Sequence, residues 1–126
     1  VSRGLIASAG GLVRLPRRVP RAIATEMALH GEPLPAERLH SLGLVNRLCE
    51  PGAALQGALQ LAAGIARNAP LSVAASKRVL ALAETVSERE AWAMQEPEFA
   101  RVRASDDYRE GIAAFIEKRK PDFRGR

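Results

Sequence analysis

One stretch constrains the fold more than any other. Leu44-Val45-Asn46-Arg47-Leu48-Cys49 is the best strand candidate in the chain, it is short, and no convincing second candidate accompanies it. A lone strand cannot pair its own N–H and C=O groups, so such a segment needs partners from elsewhere. Everything else with a recognisable period reads as helix. Alanine, the best helix former and a small one, supplies 23 of the 126 residues, which favours closely packed helices. The expectation is a mainly α chain whose one short strand lacks a sheet.

The helical segments can be read in order. Ser8 or Gly10 lies near the start of a short helix, and Gly10-Gly11 lets backbone pass close to a neighbour. Pro20 suits a first helical turn, and Ile23, Ala24, Met27 and Ala28 form one apolar stripe before Gly31. Pro33 and Pro35 make a rigid connection to a short helix over about 36–42, with Gly43 as its C′ residue. Residues 53–67 carry Leu55, Ala58, Leu59, Ala62 and Ile65 on one side. Residues 70–84 follow, with Val73, Leu80 and Ala83 inward and Lys77 and Arg78 outward. Ser87-Glu88-Arg89-Glu90 is a capping box, and Pro97 is expected to kink or restart the helix it opens. Ser105-Asp106-Asp107 starts the last helix with a cap and two carboxylates at the positive end of its dipole. Ile112, Phe115 and Ile116 are expected inward, and Pro121 stops the helix.

Composition removes several functions. Hydrophobic residues are 47% and charged residues 26%, which suits an ordered domain. No apolar run approaches the roughly 18 residues of a membrane span, and the first twenty residues lack the apolar core of a signal peptide. The single Cys49 forms no internal disulfide and suits a reducing compartment, so a cytoplasmic location is expected. His30, His40 and Cys49 are too scattered for a metal site, and Ser8 lies in no nucleophile motif. The net charge of +5 is uneven: residues 1–21 hold five Arg and no acid, residues 22–100 carry −3, and residues 101–126 carry +3. Basic ends can meet phosphate or merely face solvent. A helix-turn-helix over 22–43 is unattractive, because Gly31-Glu32-Pro33-Leu34-Pro35 is too long and rigid for the turn.

The most specific stretch is the last. Ser105, Asp107, Glu110, Gly111, Ala114, Phe115, Glu117, Lys118, Arg119, Pro121, Phe123, Gly125 and Arg126 fall on the pattern S-x-D-x-x-E-G-x-x-A-F-x-E-K-R-x-P-x-F-x-G-R. This resembles the C-terminal signature of the crotonase superfamily, the enoyl-CoA hydratase/isomerase family. Two further blocks agree with the family's pattern: Gly31, Ala36, Gly43, Leu44, Val45 and Asn46, with His30 in place of the usual Thr or Ser, and Ala74-Ala75-Ser76-Lys77. The opening, Arg3-Gly4-Leu5 through Gly10-Gly11 to Arg14-Leu15-Pro16-Arg17, agrees as well. The resemblance covers essentially the whole chain.

The resemblance implies the C-terminal helical part of a crotonase-like β-β-α spiral, with 1–50 as the end of the spiral core and 51–126 as a helical oligomerisation region. It implies reversible hydration of trans-2-enoyl-CoA in fatty-acid oxidation, or a related isomerisation. Acyl-CoA is then the substrate, no separate cofactor or metal is needed, and a homotrimer or hexamer is expected, with no nucleic acid or membrane partner. Family chains are about twice as long. Their two catalytic glutamates and both N–H donors of the oxyanion hole fall outside the residues matched here. Losing one such donor typically costs about 3–4 kcal/mol of barrier, so no catalytic residue is assigned and the chain alone is expected to be inactive. Phe115 and Lys118 match residues that approach the adenine end of CoA. Spaced i and i+3, they are expected to share a helix face. The alternatives are a non-catalytic partner of other crotonase subunits, or a basic helical nucleic-acid-binding protein.

Overall fold

Helices account for all the regular structure: 61% of the residues are helical and no strand forms. The computed structural model describes all residues, Val1–Arg126. They divide into two compact units, Val1–Gly57 and Ala58–Arg126.

In the first unit, Gly10 adopts φ 98° and precedes α1, a single turn over Gly11–Arg14. A 3₁₀ turn over Leu15–Arg17 follows directly. Helix α2 (Arg21–His30) starts after Pro20 and packs against that turn, burying Ala24. Helix α3 spans Ala36–Ser41.

The strand expected over 44–49 is absent, and the end of α3 explains why. Gly43 takes the left-handed conformation, φ 78°. Its N–H donates to the His40 carbonyl at 3.0 Å, and the Leu44 N–H donates to the Leu39 carbonyl at 3.0 Å. This is a Schellman stop, which satisfies carbonyls the helix would leave open. The Val45 N–H also turns back to Leu39. The first two amides of the would-be strand are thus spent on the helix, and no second strand exists to recruit the rest. The chain is all-α, and the fold expectation is corrected to that extent.

Helix α4 (Ala54–Ala66) carries the boundary between the units. The second unit continues with α5 (Pro70–Ala83), α6 (Glu88–Arg103) and α7 (Asp106–Ile116). Helices α5 and α6 form a packed pair, and α7 rests on α6. The pair is tied by Arg78, whose Nε and Nη2 donate to the two Glu98 oxygens at 2.8 and 2.6 Å. Ser87 opens α6 with both halves of a capping box in place. Pro97 does not restart α6: the helix runs through it. Pro97 and Ala93, whose carbonyl loses its intrahelical donor there, are both exposed, so water can take that bond.

Ile23, Ala24, Met27 and Ala28 on α2 are buried or half-buried, but the stripes of α4 and α7 do not face a core as expected. The buried apolar positions are few and small: Val19, Ala24, Ala69, Ala75 and Ala114. Leu55, Leu59, Ile65, Leu80, Ile112, Phe115 and Ile116 are all exposed. Their periodicity is real, but no element of this chain lies over them.

Candidate functional site

The signature region is built on α7. Ser105 caps it: its Oγ accepts from the Tyr108 N–H at 3.1 Å and donates to the Val102 carbonyl at 2.6 Å. Ser105 and Asp107 are the two buried polar residues, Asp107 only 2% exposed. A buried carboxylate needs donors, and the chain's last residues supply them. The Arg124 N–H reaches Asp107 Oδ1 at 2.7 Å and the Gly125 N–H reaches Oδ2 at 2.8 Å. The Asp107 N–H donates in turn to the Arg126 carbonyl at 3.1 Å.

One turn along α7, Glu110 makes a second anchor. Arg119 grips it with both terminal nitrogens, at 2.5 and 2.9 Å, and the Asp122 N–H adds a bond of 2.8 Å. These donors favour the ionised form. The Arg119 guanidinium first, then the Asp122 amide, hold the Glu110 carboxyl down at about 2. Arg119 also donates from Nε to Glu117 at 2.6 Å, and both carboxylates push its own value up. A methyl group on Gly111 would lie 3.6 Å from the Phe123 ring, and one on Gly125 would lie 3.5 Å from Pro70. Ala114 beneath is 1% exposed.

Residues 117–126 therefore form a strap folded back over α7. Most of the signature serves that strap: Ser105 caps, Asp107 and Glu110 bind amides, Arg119 closes the ion pair, and Phe123 and Gly125 seat the tail. In sequence, Asp107 reads as a carboxylate for the helix dipole. Its larger role, holding two amides seventeen and eighteen residues away, leaves no local pattern.

The two expected CoA contacts are placed differently from each other. Phe115 is on α7 and 85% exposed, so it is not core. It borders a groove of about 320 Å³ shared with Ala69, Ser72, Tyr108, Ile112 and Phe123. Lys118 does not line that groove, and it is not on the helix. Helix α7 ends at Ile116, and Lys118 sits at C′ with φ 54°. The Lys118 N–H donates to Phe115 at 3.3 Å and the Arg119 N–H to Ala114 at 3.0 Å, a second Schellman stop. The i, i+3 face-sharing argument thus fails for this pair. The cations nearby divide sharply: Arg109, Arg119 and Arg124 are ion-paired, whereas the Lys118 and Lys120 side chains have no partner.

No other constellation competes. No three His, Cys, Asp or Glu side chains come together to hold a metal ion. Cys49 is exposed, its sulfur lying against Gly57. A groove of about 550 Å³ between α5 and α6 is lined by Ala75, Val79, Gln95, Phe99 and Val102. Its one acid, Glu98, is engaged by Arg78.

This geometry describes a helical scaffold with a strapped last helix. The family model for enoyl-CoA hydratase/isomerase matches residues 1–126, and the chain belongs to that family. It is similar to the 2,3-dehydroadipyl-CoA hydratase of Escherichia coli K12, 37% identical over 126 residues that make up all of this chain and 49% of that protein. It is similar to the mevalonyl-coenzyme A hydratase of Aspergillus fumigatus, 40% identical over 126 residues, or 98% of this chain and 47% of that protein. Among solved structures, the enoyl-CoA hydratase of Mycobacterium tuberculosis H37Rv superposes with a TM-score of 0.92 at 49% identity, covering 99% of this chain and 50% of that one. The chain spans about half the length of the curated relatives it matches. The expectation that it is specifically the C-terminal part of their fold is withdrawn. What the matches establish is a share of length, and the strand that would have joined the spiral's sheet does not form.

Proposed function

We propose that the protein works on CoA thioesters, in reversible hydration of 2-enoyl-CoA or a related isomerisation, and that these 126 residues do not perform the chemistry alone. The family match over the whole chain, with a TM-score of 0.92 to an enoyl-CoA hydratase, carries the first half of the reading. The second half is supported by the structural roles of the acids that are engaged. Adding water across C2=C3 needs one group to take a proton from water, another to give a proton to C2, and N–H donors at the thioester oxygen. Here Glu90 completes a cap, Glu98 holds Arg78, and Asp107 and Glu110 hold the strap. None is poised beside an enclosed apolar cavity.

In this reading the chain supplies scaffold and a contact for the nucleotide end of the ligand. The exposed Phe115 ring can stack on a purine, and the unpaired Lys118 ammonium can meet a phosphate as a point charge. The exposed apolar faces within 51–126 meet further subunits, giving a homo-oligomer. The lone cysteine favours a reducing, cytoplasmic setting.

Crotonyl-CoA hydration tests this. The isolated chain should show no turnover above background. Joined in one polypeptide to the half of the M. tuberculosis enzyme that it does not match, it should hydrate crotonyl-CoA. Turnover by the chain alone, abolished by substituting one of its own glutamates, would overturn the inactive reading. A folded but inactive chimera would count against the family activity.

A further inference from the structure

Lys118 is the only residue besides glycine with positive φ, 54°. L-residues seldom hold that conformation unless their surroundings fix it. Two things fix it here. The Schellman bonds clamp the backbone on its helix side. On its other side, the next residue, Arg119, reaches back nine positions to grip Glu110, and Glu110 also binds the Asp122 amide. Residues 119–122 are thereby pinned to α7, and Lys118 is the hinge between helix and pinned segment. Arg119 is fully occupied in holding this segment, because its nitrogens go to Glu110, Glu117 and the Lys120 carbonyl. The neighbouring Lys118 side chain stays free.

We propose that Glu110 and Arg119 are positioning residues for the Lys118 ammonium, their ion pair fixing the left-handed turn that presents it to the phosphates of the nucleotide end of acyl-CoA. This rests on the reading of Lys118 given above. Arginine holds the turn and lysine meets the ligand. Neither Glu110 nor Arg119 touches the ligand.

The test titrates 3′-phosphoadenosine 5′-diphosphate, and adenosine separately, onto the 126-residue chain, following the backbone amide resonances of residues 115–120. Lys118→Gly keeps the turn, since glycine accepts φ > 0 freely, and should weaken the phosphorylated nucleotide roughly two- to fivefold, the size of an exposed charge contact. Adenosine should be unaffected. Glu110→Gln should reproduce that loss, and in a Lys118→Gly background should add nothing further. Arg119→Lys, which keeps the charge but not the fork, should act in the same direction and decides the matter if Glu110→Gln fails to fold. Equal losses for Glu110→Gln with and without Lys118, or a loss shared by adenosine, would overturn positioning while leaving the Lys118 contact standing. Undiminished binding by Lys118→Gly, or none by the unaltered chain, would remove the Lys118 reading and the positioning with it.

Discussion

At the scale of single residues, Glu110 makes the sharpest prediction. Its folded carboxyl titrates at about 2, against roughly 4.3 for an unperturbed glutamate. Between those values the unfolded chain binds the extra proton. The stabilisation by Glu110 is therefore fully present above about pH 4.3 and lost as pH falls through about 2. Glu110→Gln cannot titrate. The melting-temperature gap between the natural chain and this variant should be widest near neutrality, shrink through that window, and close near pH 2. A gap independent of pH would mean the ion pair contributes nothing. The residues of this clasp are legible as a set in the sequence, because they fall on a known pattern. Their individual roles are not, because Asp107 and Glu110 meet amides far along the chain. Phe115 shows the converse: its spacing from Ile112 reads as core, yet spacing gives a face and not what lies over it.

Elements were legible where a short motif decides them. Ser87 and Ser105 announce their helices because a cap is a contact with the next three residues, and Gly43 announces a stop because its left-handed turn bonds back only three residues, to His40. The failures came where a longer-range condition rules. Leu44–Cys49 has strand composition, but a strand needs a neighbour, and its first amides are claimed by α3. Pro97 has a breaker's chemistry, but on the exposed side of α6 its lost bond can go to water. That arrangement still carries a cost. Pro97→Ala restores the N–H for the Ala93 carbonyl and should stabilise α6 by about 1–3 kcal/mol, read as a rise in melting temperature. A fall would show that Pro97 packs against something its exposure conceals.

For the whole molecule, the governing quantity is surface. Leu55, Leu80, Phe115 and Ile116 are each at least 70% exposed, and large apolar side chains left in water in such number mark surface that association covers. The isolated chain should accordingly bind a hydrophobic dye and self-associate, visible as concentration-dependent sedimentation. A monodisperse monomer with a sharp cooperative melt and no dye uptake would contradict this. The stripes were legible as stripes; the sequence of one chain does not describe what covers them.

The clasp also has a consequence in time. Asp107 closes loops of only seventeen and eighteen residues, and Arg78 meets Glu98 across twenty. Short closures lose little chain entropy, and helical units rich in such local contacts order within microseconds to milliseconds. The second unit should thus be shaped well before any partner reaches it by diffusion. Its apolar faces then wait, already organised, and the length of that wait sets how much of the chain is lost to aggregation before it is covered.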